Sequence, residues 1–184
     1  MTTYIGLLRA VNVGGANKVE MTALTDLLSG LGLEDVRTLL QSGNVVFRGD
    51  GATTGELEMR LETEVQKSLG LRTDFFIRTS FEWREIIGRN PFPAEAEKDP
   101  SHLVVTVLKK APKPSAWDAL DAAIRGPEKV HRWGCQAYVA YPNGIGRSKL
   151  TTALIEGKLG TRCTSRNWNT VLKLGQMASG SPQA

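Results

Sequence analysis

Apolar spacing along this chain switches between the two-residue period of strands and the three-to-four-residue period of helices in one fixed order, and that order occurs twice. Thr3–Val11 is largely apolar and predicts a strand. Met21, Leu24, Leu27, Leu28 and Leu31 fall on one helical face, with Gly30 and Gly32 marking its end. Val36–Gln41 and Val45–Arg48 flank Ser42-Gly43-Asn44, a tip where Gly43 or Asn44 takes positive φ cheaply, and so predict a hairpin. Thr53 with Glu56 three residues later forms a capping box, Leu57, Leu61, Val65 and Leu69 recur every four residues, and Gly70 closes that helix. Arg72–Arg78 follows as a strand. The first half reads βαββαβ.

A helix carrying Trp83, Ile86 and Ile87, opened by Thr79 or Ser80, leads into the proline-rich connection Asn90–Pro100, the natural boundary. Then the order restarts. His102–Leu108 predicts a strand and Ser115–Ile124 a helix stopped by Gly126-Pro127. Lys129–Trp133 and Gln136–Tyr141 predict a hairpin around Gly134, followed by a helix over Ser148–Leu159 and a short strand at Arg162–Thr164. Asn167–Ala178 adds a final helix, and the tail Ser179–Ala184 is expected to be disordered. Because βαββαβ is the ferredoxin-like split unit, the expected fold class is α+β: two such units, 1–90 and 91–178, with an extra C-terminal helix.

Composition removes several classes of function. No apolar run in the 184 residues approaches the roughly 18 needed to span a bilayer, and Met1-Thr2-Thr3-Tyr4 lacks a secretory signature, so a cytoplasmic protein with no membrane partner is expected. Two cysteines, Cys135 and Cys163, do not make a disulfide framework. Only His102 and His131 are histidines, which excludes a His-rich metal site. Glu95, Glu97 and Asp99 read as a solvated linker, so neither metal nor cofactor is expected. Cys163, between Arg162 and Arg166, reads as a bland thiol and His131 as a sheet residue. No paired carboxylates predict acid/base work.

The net charge of +4 is unevenly placed. Residues 1–90 carry 10 basic and 12 acidic side chains, whereas 91–184 carry 13 and 7. Such a field draws anions, whether small phosphorylated metabolites or nucleic acid.

Polar residues converge at two places. The loop after the first strand holds Arg9, Asn12, Gly14, Gly15 and Lys18, and the facing hairpin tip holds Gln41, Ser42 and Asn44. Glycines expose main-chain N–H groups to an oxyanion, and Arg or Lys supplies charge; the same amides could equally seal a tight loop. In the second half, Gly144-Ile145-Gly146-Arg147-Ser148-Lys149 precedes a helix with Ser148 as N-cap, and Arg166-Asn167-Trp168-Asn169 opens the last one. Together they suggest an anion cradle, with Trp168 either stacking on a ligand or filling the core. The glycine spacing matches neither a nucleotide-triphosphate loop nor a dinucleotide fingerprint.

Two functions of different kind follow. One is binding of a small phosphorylated or carboxylated ligand in a polar, basic cleft. The other is nucleic-acid binding by the basic second half, against which stand the 7% aromatic content and the missing Phe/Tyr cluster of an RNA-binding sheet. Oligomeric state stays open.

Leu7-Leu8-Arg9-Ala10-Val11-Asn12-Val13-Gly14-Gly15, Lys18-Val19-Glu20-Met21, Gln41-Ser42-Gly43-Asn44-Val45-Val46-Phe47, Gly144-Ile145-Gly146-Arg147-Ser148-Lys149-Leu150 and Arg166-Asn167-Trp168-Asn169-Thr170 resemble, in order, the bacterial family catalogued as domain of unknown function 1697. That family commonly has Gly at the position of Ala10. The resemblance implies a small cytoplasmic protein of duplicated ferredoxin-like fold, and brings no activity or catalytic residues with it.

Overall fold

A computed structural model describes residues 1–12 and 17–180. The order of elements is β1 (Thr2–Leu8), α1 (Met21–Gly30), β2 (Glu34–Leu39), β3 (Asn44–Gly49), α2 (Thr54–Leu69), β4 (Phe75–Thr79), α3 (Ser80–Gly88), α4 (Pro93–Lys98), β5 (Leu103–Leu108), α5 (Pro114–Asp121), β6 (Lys129–Trp133), β7 (Gln136–Ala140), α6 (Thr152–Leu159), β8 (Cys163–Asn167) and α7 (Trp168–Ala178). The strands form two four-stranded antiparallel sheets, ordered β2-β3-β1-β4 and β6-β7-β5-β8. With seven helices among the described residues, the fold is mixed α+β. Contacts divide the chain into two compact units, Met1–Gly88 with Lys173–Ala184, and Arg89–Leu172.

In the first unit, alternation along β1 points Tyr4 and Leu8 to the same side as Val45, Phe47, Phe75 and Ile77, where they pack with Leu24 and Leu28 of α1 and Leu57, Leu61 and Val65 of α2. Tyr4 and Phe47 stack with centroids 5.5 Å apart. The opposite side, with Ile5, Leu7, Val46 and Phe76, is also buried. In the second unit Val104, Leu108, Val139 and Cys163 pack with Trp117, Leu120, Ile155 and Leu159. Leu103, Val105 and Tyr138 on the other side are fully buried.

Local signals set most helix ends. Thr53 and Glu56 form the expected capping box, and Gly70 closes α2 at φ +65°. A second box opens α3, where Thr79 Oγ1 accepts the Glu82 N–H at 3.1 Å and Glu82 Oε2 accepts the Thr79 N–H at 2.7 Å.

Other expectations are corrected. β1 stops at Leu8 and not Val11, because Ala10 and Asn12 turn left-handed at φ +52° and +54°. β2 ends at Leu39, since Leu40 has φ +60°. β4 starts at Phe75, not Arg72, and α5 ends at Asp121, not Ile124. The last strand, expected at Arg162–Thr164, runs over Cys163–Asn167, and α7 follows it directly. The stretch read as a solvated linker contains helix α4, whose Pro93 stands in the first turn, where a missing N–H costs nothing.

Candidate anion site

The two asparagines of the first cluster serve the loop itself. Asn12 Nδ2 donates to the carbonyls of Gln41 at 2.8 Å and Val19 at 3.0 Å, while its Oδ1 accepts the Val19 N–H at 2.9 Å. Asn44 is wholly buried, and its Nδ2 donates to Leu39 O and Ser42 Oγ, both at 2.9 Å. Gly43 holds φ +69°, donates no space to a side chain, and gives its carbonyl to the Leu8 N–H at 2.7 Å. Arg9 is half-buried, and Lys18, Gln41 and Ser42 are exposed. Gly14 and Gly15 lie outside the described residues.

The second cluster divides. Arg147 is exposed at the end of a short 3-10 turn, Ile145–Arg147, and makes no ion pair among the described residues. Ser148 does not cap a helix. Its hydroxyl donates to Glu128 Oε1 and accepts the Leu150 N–H at 2.9 Å, so the chain runs on and α6 starts later, capped by Thr151 Oγ1 on the Leu154 N–H at 3.2 Å. Lys149 and Asn169 are exposed. Arg166 Nη1 donates to Thr164 Oγ1 at 2.9 Å and Ser165 O at 2.8 Å, and burial pushes its guanidinium down to about 10. Asn167 Oδ1 accepts the Thr170 N–H at 3.0 Å and so caps α7. Trp168 is buried, 5% exposed, as a core residue.

Sequence reasoning missed the residues that surround Arg147. A cavity of about 590 Å³ is bounded by His102, Pro142, Asn143, Gly144, Gly146 and Arg147. A second, of about 360 Å³, shares His102 and Pro142 and adds Glu95, Lys98, Asp99 and Lys129. Here the carboxylates are already engaged. Lys129 Nζ lies 2.9 Å from Glu95 Oε1, and His102 Nδ1 lies 2.8 Å from Asp99 Oδ2, while Asp99 Oδ1 accepts the Ser101 hydroxyl at 2.5 Å. The Lys129 hydrogen bond holds the Glu95 carboxyl below its usual range, and the Ser101 hydrogen bond with the His102 charge does the same for Asp99. Burial, reinforced by Glu128, pushes the Tyr141 phenol up to about 12. The one signal in the sequence was the pair Asp99 and His102 across Pro100-Ser101, a turn that brings them together.

A separate groove of about 410 Å³ is bordered by Lys110, Lys113, Lys158, Ser115 and Thr161, with no acidic side chain on its walls. Among the described residues no group of three or more His, Cys, Asp or Glu could hold a metal ion, and no helix is long and apolar enough to cross a membrane.

Two α+β units with a polar cavity on the second define a class of protein and no chemistry by themselves. Residues 1–138 match the family described as protein of unknown function (DUF1697), and the chain belongs to that family. It is similar in structure to the conserved bacterial protein SP0830 from Streptococcus pneumoniae, with a TM-score of 0.76 and 23% identity over 96% of this chain and 98% of that one, a likeness of fold alone. No curated protein matches.

Proposed function

We propose that this chain is a cytoplasmic protein of duplicated ferredoxin-like fold that binds a small phosphorylated or carboxylated ligand on its second unit. Strand order supports the duplication: β2-β3-β1-β4 and β6-β7-β5-β8 are the same order in two βαββαβ runs. The observation that carries the binding reading is Arg147, a guanidinium without an ion-pair partner among the described residues, on the wall of the cavity it shares with His102. Guanidinium groups bind carboxylate and phosphate through two parallel hydrogen bonds, and the nearby carboxylates Glu95 and Asp99 are occupied by Lys129 and His102. Ser148 and Arg166, whose polar atoms are bonded internally, support the loop and the sheet instead.

A thermal-shift screen of nucleotides, sugar phosphates and dicarboxylates tests this, with Arg147→Ala as control. A ligand at a hundred times its dissociation constant stabilises by about 2.7 kcal/mol, a shift of several degrees for a chain of this size. Arg147→Ala keeps its own melting point, because an exposed arginine adds little stability, and loses the shift. No shift with any anion refutes the reading.

The lysine groove favours a second reading, nucleic-acid binding, through Lys110, Lys113 and Lys158. Against it, Tyr4, Phe47, Phe75, Phe76 and Tyr138 on the strands are all buried, and the half-buried Trp133 of β6 already carries the Arg89 guanidinium 4.6 Å from its ring.

A further inference from the structure

His102 stands apart among the groups around the second-unit cavities because its geometry fixes which nitrogen is available. Nδ1 faces Asp99 Oδ2 at 2.8 Å, and the other oxygen of that carboxylate is held by Ser101. Neutral imidazole in this setting keeps its hydrogen on Nδ1 and presents a bare Nε2; protonated imidazole presents Nε2–H. Nε2 has no hydrogen-bond partner among the described residues. It lies beside Gly144, where a side chain's first carbon would stand 3.3 Å away, so glycine at φ +83° both allows the turn and leaves the nitrogen uncovered. The side chain is 41% exposed.

The groups sharing the two cavities with His102 come from α4 (Glu95, Lys98), the α4–β5 turn (Asp99), β6 (Lys129), the residue after β7 (Tyr141) and the 3-10 turn (Arg147). Glu95 and Asp99 are held below the usual carboxylate range and Tyr141 is pushed up to about 12, so none of these three changes charge near neutral pH.

We propose that His102 is the proton-carrying contact of this site: oriented by Asp99, it binds the phosphate group of a small molecule through Nε2–H on the cavity wall it shares with Arg147, so that binding is coupled to protonation of the imidazole. This rests on the reading of the second-unit cavity as an anion site. A phosphate monoester carries close to two negative charges at neutral pH, which matches one guanidinium plus one imidazolium better than a single carboxylate does. The proton moves from solvent to Nε2, and no covalent bond forms or breaks.

Sulfate is the probe, a tetrahedral dianion that does not itself titrate near neutral pH. Calorimetric titration of the full chain at constant ionic strength is expected to give binding at least about tenfold weaker near pH 8.5 than near pH 6, with proton uptake in buffers of different ionisation enthalpy. His102→Gln is expected to bind weakly and equally at both values, and His131→Gln to keep the full pH dependence. Since the His102 main chain alone joins the sheet where β5 begins, through its carbonyl and the Tyr141 N–H at 2.9 Å, the glutamine variant folds as before; circular dichroism checks this, and His131→Gln against wild type remains decisive if it does not. Sulfate binding that ignores pH, or pH dependence that survives in His102→Gln or vanishes in His131→Gln, overturns the proton role and leaves the anion site standing. No sulfate binding at either pH overturns both.

Discussion

Glu58 Oε1, on a nearly buried helical side chain of α2, accepts the main-chain N–H of Ile77 at 2.8 Å. β4 is an edge strand, and its outward N–H groups at alternate residues would otherwise offer a template for a foreign strand. Three glutamates close it: Glu62 takes Phe75 N–H at 2.8 Å, Glu58 takes Ile77, and Glu82 takes Thr79. The second sheet repeats the device at Cys163, whose N–H donates to Glu156 Oε1 at 2.8 Å.

Glu58→Ala therefore leaves the Ile77 N–H without its acceptor and is expected to cost about 1–3 kcal/mol, whereas Glu58→Gln keeps a carbonyl acceptor and costs less. Urea unfolding at neutral pH measures both. Equal losses would show that the carboxylate's ion pair with Arg78, 3.8 Å away, matters more than the hydrogen bond.

Two substitutions in the β1 end region should move stability in opposite directions. Ala10 is exposed and left-handed, a conformation that costs an L-residue about 1–2 kcal/mol, partly offset in Ala10→Gly by the greater freedom of unfolded glycine, so a gain of about 0.5 kcal/mol is expected. Gly43→Ala places a carbon 2.4 Å from Val11 Cγ2 and 2.8 Å from Leu8 Cβ at φ +69°, and a loss of about 2 kcal/mol or more is expected. Melting temperatures of the two variants decide it.

Tyr141 gives a pH dependence whose sign is set by its raised pKa. Folded, the phenol titrates at about 12; unfolded, near 10; so the fold binds its proton more tightly and loses stability as pH rises through that interval, by about 3 kcal/mol. Tyr141→Phe removes this loss and also the hydrogen bond from the phenol to Leu150 O at 3.2 Å, about 1 kcal/mol at neutral pH. The gap between wild type and variant should therefore change sign between pH 8 and pH 12. Arg166 titrates in a neighbouring range but contributes equally to both proteins.

Elements whose signals are local were legible in the sequence: the α2 capping box, Gly70, the hairpin around Gly43 and the β6–β7 hairpin all depend on residues within one turn of one another. What failed depended on distant partners. Ser148 looked like an N-cap until Glu128, twenty residues earlier, took its hydroxyl. Asn12 likewise finds its acceptor at the Gln41 carbonyl, on the far hairpin tip, a pairing that no local pattern announces. The proline-rich stretch Asn90–Pro100 reads as a connection, although proline also opens helices, and the α4 within it brings Glu95 and Lys98 to the cavity. His102 was invisible as a site residue because its cavity is assembled from α4, β6 and the turn after β7.

The most direct test of the central claim is a two-dimensional amide NMR titration of the full chain with a sugar phosphate. Saturable shifts centred on His102 and Asn143–Arg147, abolished by Arg147→Ala, are the expected result. Shifts confined to Lys110–Lys113 and Lys158, or none that saturate, would contradict it.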